Sequence, residues 1–369
     1  MQETRQRIVF LDYLRFIACF MVILVHSVEP FYLGGEGTLI PSWSAGFWST
    51  IIDSALRAAV PLFLMASSYL LFPVKQDTAS FFKRRFIRVL IPLIVWTMLY
   101  ALIPYLGSEG EIDRIDNFKR LGWNFLMASG HLWFVYMLVG IYLLMPMLSP
   151  WIERISKREE QTFIGLWAFT TIIPLLRPIA EAVTGSPNVW GECSWNEFGT
   201  FYYVSGFVGY LVLGHYFRVH VGELSWRKTL AWAVPLWAIG YAIAASGFWT
   251  RMPKEFPVSA PIDLAVEMET SWYFCSLGVA LTAVAYFLVI RKITASGRFY
   301  RNIVLPFSKV SYGVYLLHMF ILVPVFAWVN SWGLPVPAVM LLATTITFVT
   351  SSIIARLISL LPFGKYIVG

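Results

Sequence analysis

Apolar runs long enough to cross a bilayer dominate this chain. A spanning helix needs about 20 mostly apolar residues. Ten stretches meet that length among the 369 residues, near 9–28, 54–73, 86–106, 131–150, 162–182, 199–219, 229–248, 270–290, 307–330 and 336–361. They predict an all-α fold, a polytopic membrane helix bundle of about ten transmembrane helices. Composition agrees, with 58% hydrophobic and 13% charged residues, against roughly 25% charged in soluble domains. Pro92, Pro146, Pro174 and Pro324 fall inside the runs, where membrane helices tolerate proline if neighbours re-satisfy the backbone. The segments 29–53, 107–130, 183–198 and 249–269 read as loops, and no soluble domain fits between the spans.

The distribution of Lys and Arg sets the orientation. With the N-terminus inside, 20 of the 28 basic residues fall in cytoplasmic segments and six in outside loops, while Arg15 and Arg57 lie within spans. Glu109, Glu111, Asp113 and Asp116 cluster outside. The expected topology is therefore N-in/C-in, and the net charge of +7 reads as an orientation signal rather than a nucleic-acid footprint. Arg5 and Arg7 precede the first run as in a signal peptide. Asp12 and Arg15 interrupt it, and no small-residue cleavage site follows His26, so the segment is expected to remain as the first helix.

Cys19, Cys193 and Cys275 form no CxxC and no metal-type spacing, which argues against disulfide or zinc frameworks and predicts no metal. The chain also lacks GxSxG, P-loop, GxGxxG and HExxH signatures, so serine-elbow hydrolases, nucleotide-driven pumps and zincins find no support.

Ionisable groups inside a membrane are costly and mark functional candidates. The first span carries Asp12, Arg15 and His26. At about 100° per residue, eleven steps return His26 to within about 20° of Arg15, roughly 16 Å further along the axis. Asp12 and Arg15 form an i,i+3 pair on the same face. One polar stripe thus runs from Asp12 past Arg15 and Cys19 to His26. It belongs against a bundle interior or a hydrated cavity, and the plainer reading is a neutralised Asp–Arg pair with an interfacial histidine. Arg57 lies near the outer interface, where snorkelling is the plain reading. Arg85 and Arg88 share a face in FFKRRFIR, a topogenic run whose guanidinium groups also suit bidentate phosphate contacts. His131 and Trp133 open the fourth span, as an aromatic-belt anchor would. His318 sits deep in the ninth span with Ser311 and Tyr315 on a similar side, where helix-to-helix hydrogen bonding is the plain reading. His215 and His220 receive no role.

These residues resemble the acyltransferase 3 family of integral membrane proteins. FLDYLRFIACFMVILVHS supplies an arginine, ten residues and a histidine (Arg15, His26), and KRRFIRVLIP supplies an Arg-x-x-Arg pair (Arg85, Arg88). HLWF and SYGVYLLH are similar to further family segments. The resemblance covers essentially the whole chain and implies a single acyltransferase-3-like transmembrane domain over residues 1–369, with no appended soluble domain. It implies transfer of an acyl group, usually acetyl, from cytoplasmic acetyl-CoA to a hydroxyl of an envelope glycan or lipid-linked saccharide, in the bacterial inner membrane. His26 is then the general base, or alternatively carries a transient acyl group. Arg15 orients the donor or His26, Asp12 restrains Arg15, and Arg85 and Arg88 hold the donor phosphates. Arg57, His318, His131 and Trp133 are second-tier substrate-binding candidates for acceptor contact or oxyanion support. A transporter or exporter of a small polar or lipid-linked solute fits the intramembrane Asp, Arg and His equally well. Acetyl-CoA binding separates the two. A membrane scaffold or sensor would leave the polar stripe without a purpose.

Overall fold

A computed structural model describes residues 7–34, 37–102, 119 and 129–369. Fourteen α-helices carry the described fold. They are α1 Val9–Val28, α2 Trp43–Leu56, α3 Ala59–Leu71, α4 Thr78–Leu102, α5 Trp133–Arg154, α6 Lys157–Thr170 and α7 Ile173–Thr184. After these come α8 Val208–Val219, α9 Trp226–Arg251, α10 Ile262–Glu269, α11 Leu277–Ile290, α12 Leu305–Asn330, α13 Val336–Ser359 and α14 Lys365–Val368. Short strands β1 Leu33–Gly34, β2 Gly37–Ile40 and β3 Val258–Pro261 form an antiparallel sheet in the order β1-β2-β3, beyond the C-terminal end of α1.

Among the described residues, seven helical segments are long and apolar enough to span a membrane, and up to nine if two bent pairs each count as one. The expected ten is not reached, and the shortfall has a local cause. The expected span at 199–219 divides into a 3-10 segment, Gly199–Val204, and the 12-residue α8. Between them Gly206 adopts φ +75°, a left-handed conformation that ends a helix and suits glycine. The expected span at 162–182 is the bent pair α6–α7, which turns by 44°. Pro174 begins α7 there, and a proline at a helix start is compatible with a break before it. The segment 270–290 belongs to the second bent pair, Ile262–Trp272 with Leu277–Ile290, at 48°. The expected loop at 29–53 is largely ordered, since it holds β1, β2 and most of α2.

α1 is the central helix. It packs against α2, α3, α11, α12 and α13, and 61% of its span is buried against 17% for α9. Sequence explains the contrast. Leu14, Ala18 and Ile23 of α1 are fully buried, whereas Leu230, Trp232, Val234 and Ile239 of α9 are exposed, as a lipid-facing helix requires. α9 meets α11 through facing glycines. A Cβ on Gly240 would lie 2.6 Å from the Gly278 carbonyl oxygen, so only small residues permit this crossing, a common device where helices lack a hydrophobic driving force for association. Side chains fasten further crossings: the Ser68 hydroxyl donates to the Leu211 carbonyl across α3 and α8, and Trp96 Nε1 donates to the Ile367 carbonyl across α4 and α14 at 2.7 Å.

Candidate active site

Two polar regions lie along α1, one near each end. The first is a cavity of about 630 Å³ whose charged lining residues are Arg7, Asp12, Arg15, Arg85, Arg88 and Lys309. Five cations against one carboxylate make it strongly basic. Arg85 and Arg88 reach it from one face of α4, as their i,i+3 spacing predicts, and Lys309 reaches it from α12. Arg85 Nε is buried and has no hydrogen-bond partner among the described residues, so this cation has donor capacity to spare. Arg7, Arg85, Arg88 and Lys309 belong to segments expected at the cytoplasmic side from the charge distribution, and Arg15 to the first span.

Asp12 holds this region together. It accepts from Arg7 at 2.6 and 3.0 Å, from Ser308 at 2.6 Å, from Tyr300 at 2.8 Å and from Arg15 at 3.3 Å. The predicted Asp12–Arg15 pair is present, but Asp12 also ties the start of the chain to α12 and to a π-helical turn, Tyr300–Val304. Arg15 Nη1 also reaches Ser308 Oγ at 3.4 Å, leaving Arg15 at the cavity wall.

The second region is a cluster of three imidazoles. His26 comes from α1, His318 from α12 and His131 from the 3-10 turn Gly130–Leu132 that opens α5. Ring centroids are 5.3 Å apart for His26–His318, 5.5 Å for His131–His318 and 6.3 Å for His26–His131. His26 Nδ1 lies 2.7 Å from Glu29 Oε2. A carboxylate partner places the proton on Nδ1 and leaves Nε2 as the basic atom, the arrangement that a carboxylate imposes on a catalytic histidine. Glu29 was not foreseen, although its i,i+3 spacing from His26 was available as a signal. His318 Nδ1 contacts the Tyr315 carbonyl at 2.5 Å. The nitrogens of His131 are buried without a partner among the described residues.

An aromatic wall joins the regions. Tyr315 and Phe134 line the basic cavity and meet edge to face at 5.6 Å. The Tyr315 ring lies 5.7 Å from that of His318, and its hydroxyl donates to the His131 carbonyl at 2.5 Å. The cavity and the imidazoles therefore share one side chain.

Arg57 and Trp133 are placed differently. Arg57 does not snorkel. It is 7% exposed and donates to Asp53 at 2.8 and 2.6 Å and to Tyr32 at 3.0 Å. The Trp272 ring lies 4.7 Å from its guanidinium carbon. Trp133 packs with Phe274 at 4.9 Å and Phe207 at 6.0 Å. Without Asp53 the Arg57 guanidinium keeps only the more distant Glu269 carboxylate at 3.5 Å, and breaking a buried ion pair costs up to about 3–5 kcal/mol. Asp53→Ala is thus expected to lower the thermal midpoint of the detergent-solubilised protein sharply, read by loss of monodisperse elution after heating. A midpoint equal to wild type would show that the Arg57–Asp53 pair does not stabilise the fold. His215 and His220, at 2.9 and 3.0 Å, both contact the buried Glu160, in a separate cluster.

Fold and site together define a multi-pass membrane protein that sets a basic, anion-ready cavity next to a cluster of imidazoles. The chain belongs to the acyltransferase 3 family, whose acyltransferase domain matches residues 8–356, and it is accordingly a membrane acyltransferase. It is similar to Nodulation protein 10 of Rhizobium leguminosarum bv. viciae, with 20% identity over 335 residues covering 88% of this chain and 86% of that protein. No solved structure matches it.

Proposed function

We propose that this chain is an O-acyltransferase of the bacterial inner membrane that moves an acetyl group from cytoplasmic acetyl-CoA to a hydroxyl of an envelope glycan or lipid-linked saccharide. The observation that carries this reading is the Tyr315 side chain, which lines the basic cavity and packs against His318 of the imidazole cluster. This contact between a basic cavity and a histidine cluster supports a reading in which an anionic donor and a general base act together.

Arg85, Arg88 and Lys309 hold the donor phosphates, because guanidinium groups bind phosphate with paired, charge-assisted hydrogen bonds. A cavity of about 630 Å³ is typical of a small-molecule site. It takes the thin acyl-bearing arm and leaves the nucleotide at its mouth. Asp12 positions Arg7 and Arg15 along this wall. At the other end, His26 Nε2 takes the proton of the acceptor hydroxyl as the oxygen attacks the acyl carbon. Glu29 keeps the His26 ring in the required tautomer and offsets the charge of the imidazolium that forms. Arg57 supports this outer end through Asp53 and Tyr32. His131, and Trp133 among its aromatic partners, line the approach of the acceptor. The reaction needs no metal.

The test is binding of radiolabelled acetyl-CoA to the lipid-reconstituted protein without acceptor, followed by mass spectrometry of envelope glycans from a strain lacking the gene. The reading expects saturable binding and loss of acetyl groups from one polymer. A transporter would show neither acetyl-CoA binding nor acetyl loss. Glu29→Gln, which keeps shape but removes the charge behind His26, is expected to slow transfer by roughly tenfold or more with acetyl-CoA affinity unchanged. Equal rates for Glu29→Gln and wild type would remove Glu29 from the account.

A further inference from the structure

His318 is set up for a task that a packing residue does not need. Its Nδ1 lies 2.5 Å from the Tyr315 carbonyl oxygen. A carbonyl only accepts, so the proton sits on Nδ1 and Nε2 carries a bare lone pair. That Nε2 is buried and has no hydrogen-bond partner among the described residues, and the residue as a whole is 0% exposed. Buried polar atoms normally find partners, so a free imidazole nitrogen here is a reactive group held in reserve.

Its place in the bundle says for what. Tyr315 lines the basic cavity, and three residues along α12 advance about 4.5 Å to His318. The His26 ring is 5.3 Å away. His318 thus packs against both a side chain that lines the basic cavity and the ring of the base that serves the acceptor. The two histidines are also backed differently. The Glu29 carboxylate behind His26 offsets the charge of an imidazolium, which suits a base. The Tyr315 carbonyl behind His318 fixes the ring and adds no charge, which suits a neutral nucleophile.

We propose that His318 Nε2 is the nucleophile that takes the acyl group from the thioester and passes it to the acceptor, a division of labour that rests on the O-acyltransferase reading above. In the first step the Nε2 lone pair attacks the thioester carbonyl carbon. An N–C bond forms, the C–S bond breaks, and sulfur leaves with the electron pair as a thiolate, while the proton stays on Nδ1, donated to the Tyr315 carbonyl, so that a cationic acyl-imidazolium faces the thiolate. In the second step His26 Nε2 removes the acceptor hydroxyl proton, the oxygen bonds to the acyl carbon, and the C–N pair returns to His318 Nε2. The proton on His26 then neutralises the thiolate. Thioester and alcohol become ester and thiol, with no other reactant.

The experiment is isotope exchange without acceptor. The full chain in lipid nanodiscs receives unlabelled acetyl-CoA and radiolabelled CoA, and label entering acetyl-CoA is followed. Wild type and His26→Ala are expected to exchange, because His26 serves only the second step, and His318→Ala is expected to fall to background. Retained acetyl-CoA affinity and monodisperse elution establish that His318→Ala is folded. Should it aggregate, wild type alone is quenched after acetyl-CoA addition and digested, with acetyl expected on the peptide carrying His318. Acetyl on the His26 peptide, exchange that persists in folded His318→Ala, or a wild type that acetylates acceptor with no exchange and no modified His318 peptide would each overturn the proposal. A wild type that neither binds acetyl-CoA nor acetylates acceptor would instead overturn the underlying O-acyltransferase reading.

Discussion

His26→Ala is expected to lower acetyl transfer to a glycan acceptor by about 10²–10⁴-fold, the usual contribution of a general base, with acetyl-CoA affinity unchanged. His26 lies eleven residues beyond Arg15, roughly 16 Å along the helix axis, so the substitution leaves the donor cavity intact. Its only side-chain hydrogen bond among the described residues is to Glu29, so the alanine variant removes the base and its carboxylate support together. The measurement is initial velocity with radiolabelled acetyl-CoA in reconstituted lipid, beside a binding isotherm for the same variant. Transfer at the wild-type rate would mean that another group deprotonates the acceptor.

The second large effect is on donor binding. Arg85→Ala/Arg88→Ala is expected to weaken acetyl-CoA affinity by on the order of a hundredfold. Hydrogen bonds to charged groups contribute about 1.5–3 kcal/mol each, and every 1.4 kcal/mol is a factor of about ten. The estimate is kept at the lower end because Arg88 is exposed, where solvent screens its charge. The loss should deepen as ionic strength falls, since fewer salt ions then compete for the phosphates in wild type. Arg85→Lys/Arg88→Lys should recover part of the affinity, because lysine keeps the charge and loses the planar fork. Isothermal titration at two salt concentrations measures both. Wild-type affinity in the double alanine variant would place the phosphates elsewhere.

Part of the candidate site's geometry is legible in the sequence. The polar stripe of α1 follows from helical period alone, and the Arg85–Arg88 pair follows from i,i+3 spacing at a helix entry. Both are local, and local geometry is what a sequence encodes most directly. The imidazole cluster was legible only as parts. His26, His131 and His318 were each singled out, but their convergence depends on how α1, α5 and α12 pack, and no spacing within one helix reports that. Glu29 follows the expected end of the first span, where a carboxylate reads as an interfacial charge. Snorkelling is the plain reading for Arg57 beside its candidacy for substrate binding, and its burial is not legible because its hydrogen-bond partner Tyr32 and the Trp272 ring beside it come from distant segments. The count of ten is not confirmed among the described residues: Gly206 divides the run at 199–219, and the run at 162–182 is a pair of helices bent before Pro174.

The central claim is that a cytoplasmic donor cavity serves an acceptor at the other end of α1. Sided proteoliposomes test it most directly. Protein of known orientation is sealed with acetyl-CoA confined to the side of the N-terminus and glycan acceptor confined to the opposite side, and acetylated acceptor is measured over time. The account predicts product in this arrangement and none when acetyl-CoA is confined to the opposite side. Product formed only when donor and acceptor share one compartment would contradict it.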